Sequence, residues 1–262
     1  MGNGITFFKY QGTGNDFIMI DHMKSDSGDF TTQQINKMCD RRFGIGADGL
    51  IILKPSNQYD FYMDYYNSDG NPGTMCGNGG RCIVKFANDL GYTSSTTTFE
   101  AVDGIHAAEI EYGFVSLQMI DVSIIHENQD GAYIINTGSP HYVKFVDDES
   151  KLSEIIEFGK LIRYSDKYNK EGINVNLVHV KDENSIAMKT YERGVEDETY
   201  SCGTGVTAAC LAYARKMNVS GEIIVSTKGG QLSVRFDRTG DYFANIILKG
   251  PAIMVFKGTI NV

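Results

Sequence analysis

Positive charge is what this sequence is short of: 24 Lys and Arg stand against 33 Asp and Glu, for a net charge of -9 and a pI near 5.0. Nonspecific nucleic-acid binding rests on clustered basic side chains, so no nucleic-acid partner is expected. The chain also lacks any run approaching the roughly 18 apolar residues that span a bilayer as a helix. Its opening, MGNGITFFKYQGTGNDF, has no basic stretch followed by an apolar one. No membrane partner is expected, and the expected location is cytoplasmic. Met1-Gly2 begins like an acylation signal, but the basic patch that would supply a second anchor is missing.

A disulfide framework is missing too. The five cysteines, Cys39, Cys76, Cys82, Cys202 and Cys210, are odd in number and follow no secretory signal, so thiols are expected. Their C-x5-C and C-x7-C spacings are not those of zinc sites and no histidine pair accompanies them, so no metal is expected. GIGADG at 44–49 fits G-x-G-x-x-G, but a helical pattern precedes it and the strand-like LIIL follows. A dinucleotide fingerprint needs the reverse order.

What is present is an ordinary globular composition over 262 residues, enough for one large core or two units of about 130 residues. A Cys-Gly pair occurs twice, in MCGNGGRC (75–82) and SCGTGVTAAC (201–210), at an offset of 202 − 76 = 126. Other landmarks recur in the same order. Thr13-Gly14 pairs with Thr137-Gly138 at 124, Gly44-Ile45 with Gly172-Ile173 at 128, and GIHAAEIE (104–111) with GQLSVRFD (230–237) at 126. One nearly constant offset predicts an old duplication, two similar units about a pseudo-twofold axis with the two cysteines facing each other across the join.

Short β-rich runs bounded by Gly, Asn or Asp predict strands at FIMID, LIIL, DFYMDYY, TFEAV, HAAEIEY and FVSLQMID in the first half. The second half offers AYIIN, YVKFV, VNLVHV, SIAMKTY, EIIVST, LSVRF and FANIILK. Helical spacing predicts helices over 31–41, capped by Thr31 or Thr32, and over 81–90, 153–162 and 207–217. The fold class is therefore α+β: two similar units, each a curved, mostly antiparallel sheet around one central helix.

If the second and fourth helices begin just after Cys76 and Cys202, each thiol sits at a helix N-terminus, where the macrodipole stabilises a thiolate. The glycines let the backbone N–H groups of Gly77-Asn78 and Gly203-Thr204 approach an anion closely. A carboxylate gripped by two such ends can take up the charge of a carbanion forming at its α-carbon. Two thiols on opposite faces of that carbon suit removal of a proton from one side and its return from the other. Cys39, Cys82 and Cys210 lie among apolar neighbours on helices and read as core.

These segments carry a resemblance. KYQGTGNDF, NSDGNPGTMCGNGGRC and YERGVEDETYSCGTG are similar to the substrate loop and the two signature segments of the diaminopimelate epimerase family, which uses no pyridoxal phosphate. The resemblance runs nearly end to end. It implies units of residues 1–122, completed by a C-terminal strand over 250–262, and 123–249. Cys76 and Cys202 match the acid/base pair, and Gly77, Asn78, Gly203 and Thr204 match the groups that hold the reacting carboxylate. Asn15, Asn67, Asn174, Glu192 and Arg193 match side chains that hold the rest of the substrate, and His141 with Glu192 matches groups that tune the thiols. No cofactor is implied. The implied partners are a small amino acid and, in assembly, a second copy as a homodimer.

Two positions depart from the family pattern. Gly49 stands where some members carry a substrate-facing glutamine, and Ser139 replaces the asparagine of a G-N-P-H turn. The competing classes are a proline or hydroxyproline racemase, a non-catalytic amino-acid-binding relative, and a cysteine hydrolase using Cys76 with His141. The first would carry M-C-G-H-G where Asn78 stands, and the last leaves Cys202 without a task.

Overall fold

Short β-rich runs, continuously buried in FIMI and LIIL and alternating in TTTFEA, make most of the first unit a sheet. The computed structural model describes residues 4–24, 28–73 and 75–261, so the acylation-like Met1-Gly2 lies outside the described residues. This unit takes in the chain up to Leu117 together with the segment from Pro251 onward. With elements numbered in chain order, its strands are β1 (Ile5–Gly12), β2 (Asn15–Asp21), β3 (Gly49–Lys54), β4 (Phe61–Asn67), β5 (Thr96–Ala101), β6 (Gly104–Glu111), β7 (Phe114–Gln118) and the C-terminal β17 (Ile253–Ile260). β17 runs antiparallel to β1, with Ile5 opposite Ile260. β1 and β2 are antiparallel, β2 and β3 parallel, β3 and β4 antiparallel, β4 and β5 parallel, and β5 and β6 antiparallel.

Two helices cover this sheet. α1 (Thr32–Cys39) begins with a capping box, in which the Thr31 hydroxyl accepts from the Gln34 amide and the Gln34 side chain accepts from the Thr31 amide. It packs Ile35 and Met38 against Phe7, Ile18, Leu50 and Ile52. α2 (Gly77–Asp89) lies on β1, β2 and β3 and buries Ile83, Val84, Phe86 and Ala87. The three larger of these side chains each contribute roughly 1.5–3 kcal/mol of burial free energy, and the alanine methyl less.

The second unit, Gln118–Gly250, repeats the plan. β8 (Ile125–Glu127), β9 (Tyr133–Asn136), β10 (Pro140–Val146), β11 (Asn174–Asp182), β12 (Ser185–Glu192), β13 (Asp197–Thr199), β14 (Gly221–Thr227), β15 (Gly230–Thr239) and β16 (Tyr242–Pro251) are its strands. β9 and β10 are antiparallel, β10 and β11 parallel, β11 and β12 antiparallel, β12 and β14 parallel, and β14 and β15 antiparallel. That is the ladder order of the first unit. The hairpin turns agree as well: Gly104 and Gly230 have φ of 130° and 133°, and Gly14 and Gly138 have φ of 85° and 104°. Those conformations favour glycine, which is why these landmarks recur in the sequence.

α3 (Ile155–Arg163), entered through a 3-10 turn over Glu149–Glu154, packs on β11 and β12. α4 (Gly203–Met217) is the core of the unit: Val206 and every residue from Ala208 to Ala214 are buried. It ends at Asn218, whose left-handed backbone (φ 54°) lets its amide return to the Ala214 carbonyl.

Three sequence expectations need correction. α2 and α4 begin at Gly77 and Gly203, directly after the cysteines as the site argument supposes, and not at 81 and 207 where the apolar spacing begins, because glycine's poor helix propensity hides a first turn that needs no intrahelical acceptors. α3 begins at Ile155 rather than 153 because the 3-10 turn takes up its entry. β1, β8 and β13 are strands that the sequence pattern does not mark, whereas the C-terminal strand expected over 250–262 is β17, paired with β1.

Candidate active site

Within the first unit, Cys76 is the N-cap of α2, with extended backbone (φ -113°, ψ 126°), and its carbonyl accepts from Gly80 at 2.7 Å. The Gly77 amide opens the helix without an acceptor in that helix. The Cys76 sulfur is half-buried and 3.7 Å from Asn15 Oδ1, which also accepts from Asn78 Nδ2 at 3.3 Å. Asn15 is oriented by its own Nδ2, which donates to Asp48 Oδ2 at 2.5 Å. Strand register sets this end of the sheet: Phe17 lies opposite Gly49, and Gly49 opposite Asn67, so the start of β2, the start of β3 and the end of β4 coincide. Asn67 is exposed there.

Asp48 belongs to a charge cluster. Arg41 grips Asp16 with two bonds of 2.9 and 2.7 Å and reaches Asp48 at 2.7 Å, while Lys9 pairs with Asp16 at 2.8 Å. Burial raises the Asp16 pKa, but hydrogen bonds from Arg41 and Lys9 outweigh it and hold the carboxyl at about 2. Asp16 is therefore ionised throughout the physiological range.

Within the second unit, Cys202 is the N-cap of α4 with nearly the same backbone (φ -123°, ψ 113°), and its carbonyl accepts from Val206 at 2.8 Å. Thr204 Oγ1 lies 3.4 Å from the sulfur and 2.9 Å from His141 Nε2. The histidine's tautomer follows from its other neighbour. Asn176 turns its Nδ2 to the Tyr142 carbonyl at 3.2 Å and to His141 Nδ1 at 3.1 Å, and its Oδ1 accepts from Thr190 at 2.9 Å. Nδ1 is therefore an acceptor, the proton sits on Nε2, and Nε2–H donates to Thr204. Thr204 Oγ1 thus links the histidine to the Cys202 sulfur, accepting from Nε2–H and lying within hydrogen-bond distance of the thiol. A Cβ on Gly205 would lie 2.7 Å from Asn176 Oδ1, so the first turn of α4 rests directly on this network.

A second set surrounds Arg193. Its amide donates to Asn174 Oδ1 at 2.9 Å, its Nη1 to the Glu171 carbonyl at 2.9 Å, and its Nη2 to Ser139 Oγ at 3.5 Å. Asn174 Nδ2 donates to Ser139 Oγ at 2.9 Å and to the Pro140 carbonyl at 3.1 Å, so this buried carboxamide braces the arginine and the turn. Ser139, short as it is, joins both. Glu192 ends β12 beside Arg193 and is half-buried. Among the described residues no carboxylate lies within ion-pair distance of the exposed Arg193 guanidinium, whose charge is open to an anionic ligand.

His141 is fully buried, and burial followed by the charge of Arg193 pushes its pKa down to about 3. It is neutral at any pH at which the protein works. The sign of the stability effect follows: between the unfolded value of about 6.5 and about 3, the unfolded chain binds a proton that the folded one refuses, so stability falls on acidification. From pH 6.5 to 5, above the carboxylate range, this amounts to about 1.6 kcal/mol. Urea unfolding of the wild type should lose that much over this interval and His141→Gln should not. Parallel loss in both proteins would contradict the assignment.

Gly49, the departure from glutamine, has a steric cause. A Cβ there would lie 2.6 Å from the Tyr66 carbonyl and 2.6 Å from the Tyr65 ring. The Tyr65 ring also closes on Gly73, where a Cβ would be 2.4 Å from it. Tyr65 thus occupies the space beside Asn67 that a longer residue at 49 would need. Gly49→Ala is expected to cost about 1–3 kcal/mol by overpacking, read as a lowered denaturation midpoint; an unchanged midpoint would mean that β3 and β4 separate easily.

Sequence reasoning passed over Arg81, Asp48, Asn176 and Thr190. Arg81 appears in the sequence only as the first residue of the helix expected over 81–90, and Asn176 and Thr190 owe their places to strand register. Among the described residues no group of three or more His, Cys, Asp or Glu side chains is placed to hold a metal, and no helix is long and apolar enough to cross a membrane.

Comparison with known proteins agrees with this layout. The family model described as diaminopimelate epimerase matches residues 7–119 and 133–255. Diaminopimelate epimerase of Flavobacterium psychrophilum is 51% identical over 97% of this chain and 99% of its own length, and that of Chlorobaculum tepidum is 42% identical over 95% and 99%. A Bacillus anthracis phenazine biosynthesis protein of the PhzF family shares the fold, with a TM-score of 0.73 over the whole of both chains at 13% identity. Matched in both halves and along nearly its whole length, the chain belongs to the diaminopimelate epimerase family.

Proposed function

We propose that the protein interconverts LL- and meso-diaminopimelate by moving one α-proton between two thiols, a step in lysine and peptidoglycan precursor synthesis, in the cytoplasm and without a cofactor. The observation that carries this reading is the repeated construction of the two turns. In each, a cysteine with extended backbone caps a buried helix that opens with a glycine amide, and a side chain five residues on braces the carbonyl of that glycine.

In this reading the substrate's reacting carboxylate lies against the amides of Gly77-Asn78 and Gly203-Thr204. Their fixed dipoles favour the charge that develops as the α-carbon loses its proton. One cysteine, as thiolate, takes the α-proton. The other, as thiol, delivers its own proton to the opposite face, and the carbon is left inverted. Atoms and charge balance: one S–H bond forms, another breaks, and the thiolate has moved from one cysteine to the other. Roles exchange in the reverse direction.

The distal carboxylate falls to Arg193, whose guanidinium has no carboxylate within ion-pair distance among the described residues. Asn15, Asn67 and Glu192 supply the acceptors that an ammonium group needs. Proline and its hydroxylated form have no distal carboxylate and would leave Arg193 without a task. The test is incubation of the purified protein with LL-diaminopimelate and, separately, with L-proline, followed by chiral separation. Formation of the meso isomer with no D-proline is the expected result; D-proline alone would move the chain to the rival substrate class.

A further inference from the structure

Arg81 lies on α2, five residues after Cys76, and is completely buried. All its bonds go to neutral acceptors. Nη1 donates to the Gly77 carbonyl at 3.2 Å, Nη2 to Asn78 Oδ1 at 2.9 Å and Thr13 Oγ1 at 3.2 Å, and Nε to the Pro251 carbonyl at 3.5 Å. Among the described residues no carboxylate lies within ion-pair distance of it. A buried guanidinium without a counter-ion is costly, and the fold makes room for this one: a Cβ on Gly12 would lie 3.3 Å from Nη2.

Bracing the turn does not require the charge. Thr207 stands at the same 126-residue offset in the second unit as Cys202 does from Cys76, and its hydroxyl bonds the Gly203 carbonyl at 3.0 Å, as Arg81 bonds Gly77. A neutral side chain does the same structural task there. What Arg81 adds is a fixed positive charge.

That charge acts on two thiols, Cys82 and Cys76. Cys82 is wholly buried and burial pushes it up to about 12 even beside the guanidinium, so it stays protonated. Tyr10, facing Cys82 from β1, is held neutral by burial and by Asp89, which Lys85 neutralises. The cluster beyond Asn15 has two carboxylates, Asp16 and Asp48, and two cations, Lys9 and Arg41, and so balances itself. Among the described residues that feel the charge, this leaves Cys76, half-buried at the helix N-terminus, to meet it.

We propose that Arg81 is a positioning residue whose buried charge is the counter-ion of the Cys76 thiolate. The assignment rests on reading Cys76 as an acid/base group. Ionisation breaks one S–H bond and passes the proton to water or to substrate; the weak contact of the thiol with Asn15 Oδ1 is given up, and the otherwise uncompensated guanidinium gains its anion. The same fork holds the Asn78 side chain and the Gly77 carbonyl, so charge and geometry are set by one residue.

The test is the pH dependence of alkylation by iodoacetamide, with the Cys76 and Cys202 peptides followed separately by mass spectrometry in the wild type, Arg81→Gln and Arg81→Lys. The wild-type Cys76 midpoint should lie below the ordinary value of about 8.5. Arg81→Gln, which keeps hydrogen bonds and removes charge, should raise it by about one to two pH units, roughly a tenfold or greater loss of reactivity at neutral pH. Arg81→Lys should stay near the wild type, and the Cys202 midpoint should move in neither. An unmoved Cys76 midpoint in Arg81→Gln, or equal shifts in both variants, would overturn the proposal. If the glutamine variant does not fold, a wild-type Cys76 midpoint at or above about 8.5 overturns it alone. Alkylation needs no turnover, so an acidic Cys76 in a protein that fails to epimerise would sink the function and leave this inference standing.

Discussion

Alanine at Cys76 or at Cys202 is expected to remove epimerisation while leaving the fold in place. Neither sulfur makes a side-chain capping bond to its helix, so alanine removes no cap from α2 or α4. The helices are held instead by their apolar faces, Phe86 and Ile83 on one and the run Ala208–Ala214 on the other. Stability should therefore change little. Activity should change greatly, because each thiol has a distinct task and neither can substitute for the other: without the base no carbanion forms, and without the acid it can only be reprotonated on the face it came from. A general acid or base is worth about 10² to 10⁴ in rate, and each single variant should fall by at least that range. Cys210→Ala, on the buried face of α4, should keep its turnover. Near-wild-type kcat/KM in a folded Cys76→Ala or Cys202→Ala protein would remove that residue from the mechanism.

The second large effect concerns substrate choice. Arg193→Met should lower kcat/KM for diaminopimelate by roughly 30- to 1000-fold, the equivalent of about 2–4 kcal/mol for a charge-assisted, two-bonded contact to a carboxylate. Methionine keeps the apolar stem that lies over Gly172, where a Cβ would come within 2.5 Å of the arginine Cδ, so the loop is spared. An amino acid lacking the distal carboxylate should be affected far less. Equal losses for both substrates would show that Arg193 braces the loop through Glu171 and Ser139 rather than reading the substrate. Lysine in its place should recover only part of the loss, since a single ammonium cannot match a planar fork.

The two predictions rest on residues of differing legibility. Cys76 and Cys202 stood out because their glycine-rich turns recur at one offset, and the offset could be checked at hairpin glycines, Gly104 and Gly230 or Gly14 and Gly138, whose conformations other residues resist. The α+β class followed from strand runs alternating with two strongly patterned helices. The helix starts did not, since glycine in a first turn carries no helical signal. The C-terminal strand is expected from the family resemblance and not from its own pattern, and it is β17, whose pairing with β1 joins the two ends of the chain. The tautomer of His141 depends on Asn176, and the orientation of Asn176 depends on Thr190, which faces it only through the register of β11 and β12. No spacing in the sequence announces a cross-strand pair of that kind. Arg81 is a sharper case, because an arginine at a helix start reads as a solvated charge until its complete burial is seen.

The central claim is that two groups, not one, carry the proton, and deuterium incorporation tests it most directly. LL-diaminopimelate is incubated with wild-type protein in D2O and stopped after a few per cent conversion, and α-deuterium is measured separately in the meso product and in the recovered LL substrate. With two thiols, the base holds the substrate's own hydrogen while the other thiol supplies deuterium from solvent. The product should be almost fully labelled at the inverted carbon and the recovered substrate almost unlabelled. Early deuterium in both pools to a similar extent would mean that one group serves both faces, and the two-cysteine account would be wrong.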